Sequence, residues 1–228
     1  MKKGLIVLLA GFIIMASFSM GWAGLLNIVP NDPVMGTLPL GAAHDVAETA
    51  GAEGWYNANL FASENVTLTY EFIGFEAAWT DAFLVDGAQA FLNQTAAEGD
   101  KVYSDATAGS LLDFAFSIIQ GPSDADLNGT IVNNGDNVGP DNTSDKSEKY
   151  GALNFFLGYV DPSVKDSVYI ALDDGGGGTP LYPISDDNHD DLVVKVTASP
   201  VPEPATLLLL GTGLVGLAGF GRKKFIKN

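Results

Sequence analysis

Val66-Thr67-Leu68-Thr69-Tyr70-Glu71-Phe72 alternates large apolar and polar side chains without a break. Successive side chains of an extended chain point to opposite faces, so Val66, Leu68, Tyr70 and Phe72 share one face of a half-buried β-strand. The same period of two recurs downstream. Leu112, Phe114, Phe116 and Ile118 alternate with Asp113, Ala115 and Ser117; Val168, Ile170 and Leu172 with Tyr169 and Ala171; Leu192, Val194 and Val196 with Val193, Lys195 and Thr197. Asn154 to Val160 reads as a further apolar strand, and Ala82 to Leu92 as strand with an Asp86-Gly87 turn inside it. Only Ala42 to Ala52 offers a short helical pattern. Strands separated by Gly, Asn and Asp clusters, without long helices between them, predict an all-β fold: an antiparallel, jelly-roll-like β-sandwich. Gly121 to Lys149, rich in Gly, Pro, Asn, Asp and Ser, reads as a long loop at one end of it. No internal repeat is visible.

Composition narrows the class further. The chain has 228 residues, 46% hydrophobic and 10% aromatic, enough to build a packed core. Its formal net charge of -17 argues against broad contact with nucleic-acid phosphate, so no nucleic-acid partner is expected. Zero cysteines exclude a disulfide framework, a thiolate zinc site and a cysteine nucleophile. The two histidines, His44 and His189, are too few for a three-histidine metal centre.

The ends read as addresses. Lys2 and Lys3 precede an apolar run from Leu5 to about Phe18, and small residues follow near Gly21-Trp22-Ala23, the layout of a secretory signal peptide. Cleavage by signal peptidase is expected between Ala23 and Gly24. At the other end, Pro202-Glu203-Pro204 holds one acid on a stiff, extended segment, because each proline fixes its own φ and biases its predecessor away from helix. The apolar stretch from Ala205 to Phe220 would rise about 24 Å as a helix, slightly short of a hydrocarbon core of about 30 Å, and reads as a transmembrane helix with snorkelling ends. Arg222, Lys223 and Lys224 form a basic stop that stays in the cytoplasm.

Pro202-Glu203-Pro204, the Leu/Gly-rich span and Arg222-Lys223-Lys224, in that order, closely resemble the PEP-CTERM sorting signal of exopolysaccharide-producing Gram-negative bacteria. The resemblance covers about 28 residues and implies that an exosortase recognises the motif, removes the helix and delivers the body to the cell surface. It implies an exported surface or extracellular-matrix protein associated with exopolysaccharide or biofilm. The resulting boundaries are a signal peptide at 1–23, an exported β domain at 24–200 and the sorting signal at 201–228. Within the body, Gly74 to Asp81, Leu172 to Gly178 and Asp190 to Val196 weakly resemble uncharacterised exported Asp/Gly-rich β domains, which implies an extracellular β domain without known catalysis.

Between Gly24 and Pro204 lie all 28 acidic residues and five of the 11 basic ones, leaving a charge of -23. Such a body is soluble, repels acidic polymers and attracts divalent cations. No G-x-S-x-G elbow surrounds any serine, and neither histidine stands in a triad-like context, so no catalytic residue is expected. Acids are too abundant for glycosidase carboxylates to stand out. The glycines at 175–178 lack a following Lys-Ser/Thr and read as a turn. The alternative function is a carbohydrate-binding or carbohydrate-active module, with Trp55, Tyr56, Trp79, Tyr159 and Tyr182 available to stack on sugars.

Calcium is the expected cofactor, at two acidic loops. Asp124-Ala125-Asp126-Leu127-Asn128-Gly129 matches the first six positions of a D-x-[DN]-x-[DN]-G loop, but its twelfth position is Gly135, so Asp136 or a more distant acid would complete it. The second set pairs Asp173 and Asp174 with Asp186, Asp187, Asp190 and Asp191. Hard carboxylate oxygens suit Ca²⁺.

Overall fold

The computed structural model describes residues 24–30, 56, 58–77, 79–121, 128–137, 153–174, 191–201 and 208–217. The strands come from the stretches whose side chains alternate. β3 (Val66–Gly74) buries Val66, Leu68, Tyr70 and Phe72 and turns Thr67 to solvent. Its neighbours in a five-stranded antiparallel sheet give the order β6 (Lys101–Ala106), β3, β11 (Leu192–Pro200), β10 (Ser167–Asp173) and β9 (Asn154–Tyr159). A four-stranded sheet has the order β5 (Ala88–Leu92), β4 (Thr80–Val85), β7 (Phe114–Gln120) and β8 (Ile131–Asn133). β1 (Leu26–Val29) and β2 (Asn59–Ala62) pair separately.

The Asp86-Gly87 turn joins β4 to β5 as the sequence predicts. Both residues have positive φ, 52° and 72°, the geometry whose twist matches a two-residue hairpin. The segment expected to be one long loop contains β8, which pairs with Ala115 to Ser117 of β7. Gly129, at a φ of 82°, makes the turn before it, and its N–H donates to the Ile118 carbonyl at 2.8 Å. Three residues are too few to show a period, so composition hid the strand. The predicted helix at Ala42 to Ala52 lies outside the described residues.

The two larger sheets meet through aromatic rings. Tyr70 of β3 lies 5.4 Å from Phe83 of β4, Phe72 lies 5.9 Å from Phe91 of β5, and Phe155 of β9 lies 5.4 Å from Phe114 of β7. Near one end of the five-stranded sheet both faces are buried: Phe156, Ala171 and Val193 are fully covered on the face opposite the main core. Toward solvent, Glu71 receives Lys195 at 2.9 Å and Lys101 at 3.8 Å across three adjacent strands. The Lys195 hydrogen bond is the main reason the Glu71 carboxyl is held below its ordinary pKa.

Candidate functional site

β11 lies between β3 and β10 and carries the chain out of the body. Pro200 is still in register with Val66, and the Val201 N–H donates to the Asn65 carbonyl at 3.0 Å. Regular hydrogen bonding therefore reaches the residue before Pro202, so cleavage after that point removes no strand from either sheet. Pro202, Glu203 and Pro204 lie outside the described residues, as do Ala23, Arg222, Lys223 and Lys224.

Residues 208–217 form a helix, α1, whose large apolar side chains all face outward; Leu208 is 70% and Val215 74% exposed. These ten residues rise about 15 Å. Among the described residues no helix is long and apolar enough to cross a membrane, and the expected span from Ala205 to Phe220 runs past the described segment at both ends.

The second feature is acidic and buried. Along β4, Asp81 shares its face with Phe83 and Val85, so its carboxyl enters the interior, where the residue is 0% exposed. Asn93, just past β5, accepts from the Asp81 N–H at 3.1 Å and donates to Asp81 Oδ2 at 3.2 Å and to the Trp79 carbonyl at 3.0 Å. Asp81 Oδ1 is buried without a hydrogen-bond partner. From the other sheet come Asp174, following β10, and Asp191, preceding β11, both buried. The Asp174 N–H donates to Asp191 Oδ2 at 2.7 Å.

Burial first, and then the charge and hydrogen-bonding contact of Asp174, push the Asp81 carboxyl up to about 8. Among the described residues, the groups facing it include Asp174, bonded through its N–H to Asp191, from the five-stranded sheet, the neutral Asn93 after β5, and the apolar Ile118 across on β7. A folded-state pKa above the unfolded value means that Asp81's contribution to stability is complete below about 4 and is lost as pH rises through about 8. In the presence of a chelator, the thermal midpoint is therefore expected to fall between pH 5 and pH 8, and to fall less in Asp81→Asn. Equal falls in the two proteins would contradict this.

The structure brings together part of what the sequence proposed. Asp174 and Asp191 of the second acidic set meet at the end of the β10–β11 pair. Asp186, Asp187, Asp190 and the Asp173 side chain lie outside the described residues, as do Asp124 and Asp126 of the first loop. Asn128 and Asp136 sit at opposite ends of β8: Asn128 Oδ1 accepts from the Gly121 N–H at 2.8 Å, and Asp136 Oδ2 from Asn133 Nδ2 at 2.8 Å. Among the described residues no group of three or more Asp, Glu or His side chains stands in position to hold a metal ion.

Of the proposed sugar-stacking aromatics, Tyr56 and Tyr159 are turned inward, edge to face at 6.0 Å, and the Tyr159 hydroxyl accepts from the Ile28 N–H at 3.0 Å. They form no exposed platform. His44, His189, Trp55 and Tyr182 lie outside the described residues. Asp81 went unrecognised in sequence because the predicted strand begins at Ala82, whereas β4 begins at Thr80 and includes Asp81. The signal that could have found it is its register, two and four residues before Phe83 and Val85.

Comparison with known families places the PEP-CTERM protein-sorting motif at residues 200–223. No curated protein matches the chain. The motif begins where β11 ends and covers α1 and the first two basic residues after it. The chain carries the sorting signal of a protein exported through the membrane to the cell surface and processed by an exosortase.

Proposed function

We propose, with that sorting signal as the premise, that the chain is a non-catalytic cell-surface or extracellular-matrix protein of a Gram-negative bacterium, associated with exopolysaccharide or biofilm. Its signal peptide, residues 1–23, is removed by signal peptidase; residues 24–200 form the exported β-sandwich; residues 201–228 are the sorting signal. The exosortase cuts at Pro202-Glu203-Pro204 after the helix from 205 to 220 has held the chain transiently in the inner membrane. The observation carrying this reading is the continuity of β11 with the sorting motif. The body is closed up to Val201, so its sheets survive loss of everything beyond. The non-catalytic reading is supported by the burial of the Asp81 and Asp174 pair, 0% and 2% exposed, which leaves a substrate no access to those carboxylates.

Glu203→Ala tests the role of the motif. The substitution removes the only charge between the two prolines while leaving the apolar helix and basic stop intact. An unprocessed, membrane-associated form is expected to accumulate in cell fractions. Processing as complete as in the wild type would sink the assignment of Glu203 as the recognised residue.

A further inference from the structure

Lys101-Val102-Tyr103-Ser104-Asp105-Ala106 is β6, an outer strand of the five-stranded sheet. It pairs with β3 from Val66↔Ala106 to Glu71↔Lys101 without a register shift. Antiparallel neighbours alternate between pairs that exchange both backbone hydrogen bonds and pairs that exchange none. The Phe72 N–H donates to the Asp100 carbonyl at 2.9 Å, and the Val201 N–H to the Asn65 carbonyl at 3.0 Å. The first bond makes Val102, Ser104 and Ala106 the residues bonded to β3; the second makes the odd-numbered residues of β3 those bonded to β11. The backbone N–H and C=O of Lys101, Tyr103 and Asp105 therefore point away from β3, and no described residue bonds to them. Their side chains stand on the exposed face, Tyr103 at 65%. The other outer strands offer less. β9 is capped by Tyr56, which exchanges hydrogen bonds with Leu157 at 2.8 and 2.9 Å, β8 has three residues, and the β5 ladder is broken by a register shift between Phe83 and Leu84.

We infer that β6 pairs antiparallel with β6 of a second copy of this chain about a two-fold axis at Tyr103, joining two five-stranded sheets into one. The occupant follows from the sequence of the edge itself. Natural sheet edges are blocked by proline, by bulges or by charges that an incoming strand cannot match. β6 has no proline and no bulge, and its two charges are of opposite sign, each two residues from Tyr103. Centred on Tyr103, antiparallel pairing sets Lys101 opposite Asp105 of the second copy, Asp105 opposite its Lys101, and Tyr103 opposite its Tyr103. These are the residues whose backbone groups are free, so each pair can exchange both bonds. Sliding by two residues leaves one free residue on each copy unmatched and removes both charge pairs. Parallel in-register pairing would set Lys101 beside Lys101 and Asp105 beside Asp105, like charges that disfavour it. Lys101 approaches Glu71 only to 3.8 Å, whereas Lys195 reaches it at 2.9 Å, so Lys101 is available to a second acid. One strand pair is smaller than the roughly 1,200–2,000 Å² of stable interfaces, so the dimer forms at high protein concentration. This inference is independent of the fate of the sorting signal.

The test uses the full chain purified in detergent. It contains no cysteine, so a single introduced thiol reports on one position. Tyr103→Cys puts that thiol on the axis, where opposed residues of a hydrogen-bonded pair have Cα atoms about 5.5 Å apart, within the span of a disulfide. Mild oxidation at high concentration should convert most of this variant to covalent dimer. Lys101→Cys alone should not crosslink, since its counterpart lies more than about 13 Å away along the strand; mixed with Asp105→Cys it should. Without crosslinking, sedimentation from about 10 μM to 1 mM should show dimer increasing with concentration. Lys101→Glu should weaken the dimer by about 5- to 10-fold, and adding Asp105→Lys should restore it, because the swapped charges again oppose each other. Tyr103→Pro, which removes an outward N–H and none of the bonds to β3, should abolish it. Equal crosslinking of Tyr103→Cys and Lys101→Cys would mean random collision and overturn the register. A dimer unaffected by Lys101→Glu and Tyr103→Pro would lie on another surface, and a chain monomeric up to about 1 mM would leave the edge unpaired; either result overturns the proposal.

Discussion

Phe83→Ala is expected to lower the stability of the body by about 4 kcal/mol, the range for truncating a fully buried aromatic side chain. Phe83 is 0% exposed on β4 and touches four rings: Tyr70 at 5.4 Å, Phe91 at 6.1 Å, Phe114 at 5.7 Å and Phe116 at 5.1 Å. Three of these belong to its own sheet and Tyr70 to the facing one, so the cavity would open at the seam between sheets. For a body of this size each kcal/mol shifts the midpoint by about 2–4 °C, which predicts a fall of roughly 8–16 °C. Total stabilities run about 5–15 kcal/mol, so the variant would retain a reduced margin or unfold at ordinary temperature. Tyr103→Ala, at a position 65% exposed, should change stability by no more than about 0.5 kcal/mol. A loss at Phe83 as small as at Tyr103 would show that the two sheets do not share a core.

Asn134→Ala should cost about 3 kcal/mol without opening a large cavity. The buried side chain acts as a section of β-ladder. Its Oδ1 accepts from the Leu60 N–H at 2.9 Å, and its Nδ2 donates to the carbonyls of Leu60 and Leu112, both at 2.8 Å. β2 is thereby joined to the segment leading into β7. Removing the amide strands the Leu60 N–H, at a cost on the order of 1–3 kcal/mol in the interior, and takes one donor each from the Leu60 and Leu112 carbonyls, which keep the Leu112 N–H at 3.0 Å and the Phe114 N–H at 3.2 Å. Asn134→Asp separates hydrogen bonding from shape. A carboxylate can still accept from Leu60 N–H but would point an acceptor at two carbonyls, so it should be at least as harmful as alanine at neutral pH. If the aspartate variant matched the wild type, the amide would not carry the role given to it.

The alternating stretches were legible because one face of each strand packs against the facing sheet: β3, the β4–β5 hairpin and β10 follow their apolar periods closely, and β11 does so over its core-facing side. β6 was not, because none of its residues is fully buried, so nothing selected for an apolar period there. β1, β2 and β8 have four, four and three residues, too short for periodicity, and are held by pairing and side-chain amides. The Asn-rich segment around β8 reads as loop by composition, yet Asn134 and Asn137 are buried and bond to backbone groups of distant strands. The sorting motif was legible, since its parts are contiguous in sequence and need no tertiary structure. The buried acid pair was only half visible: Asp174 and Asp191 belong to a conspicuous acidic set, whereas Asp81 meets them through a contact between sheets that only the fold creates.

The central claim, that this chain is an exported protein processed at its sorting motif, is tested most directly by the intact mass of the protein recovered from the cell surface or medium. The account predicts a single chain beginning near Gly24 and ending at or near the Pro202-Glu203-Pro204 motif, without residues 205–228. A surface-recovered protein whose mass still includes the apolar helix and runs through Asn228 would contradict it.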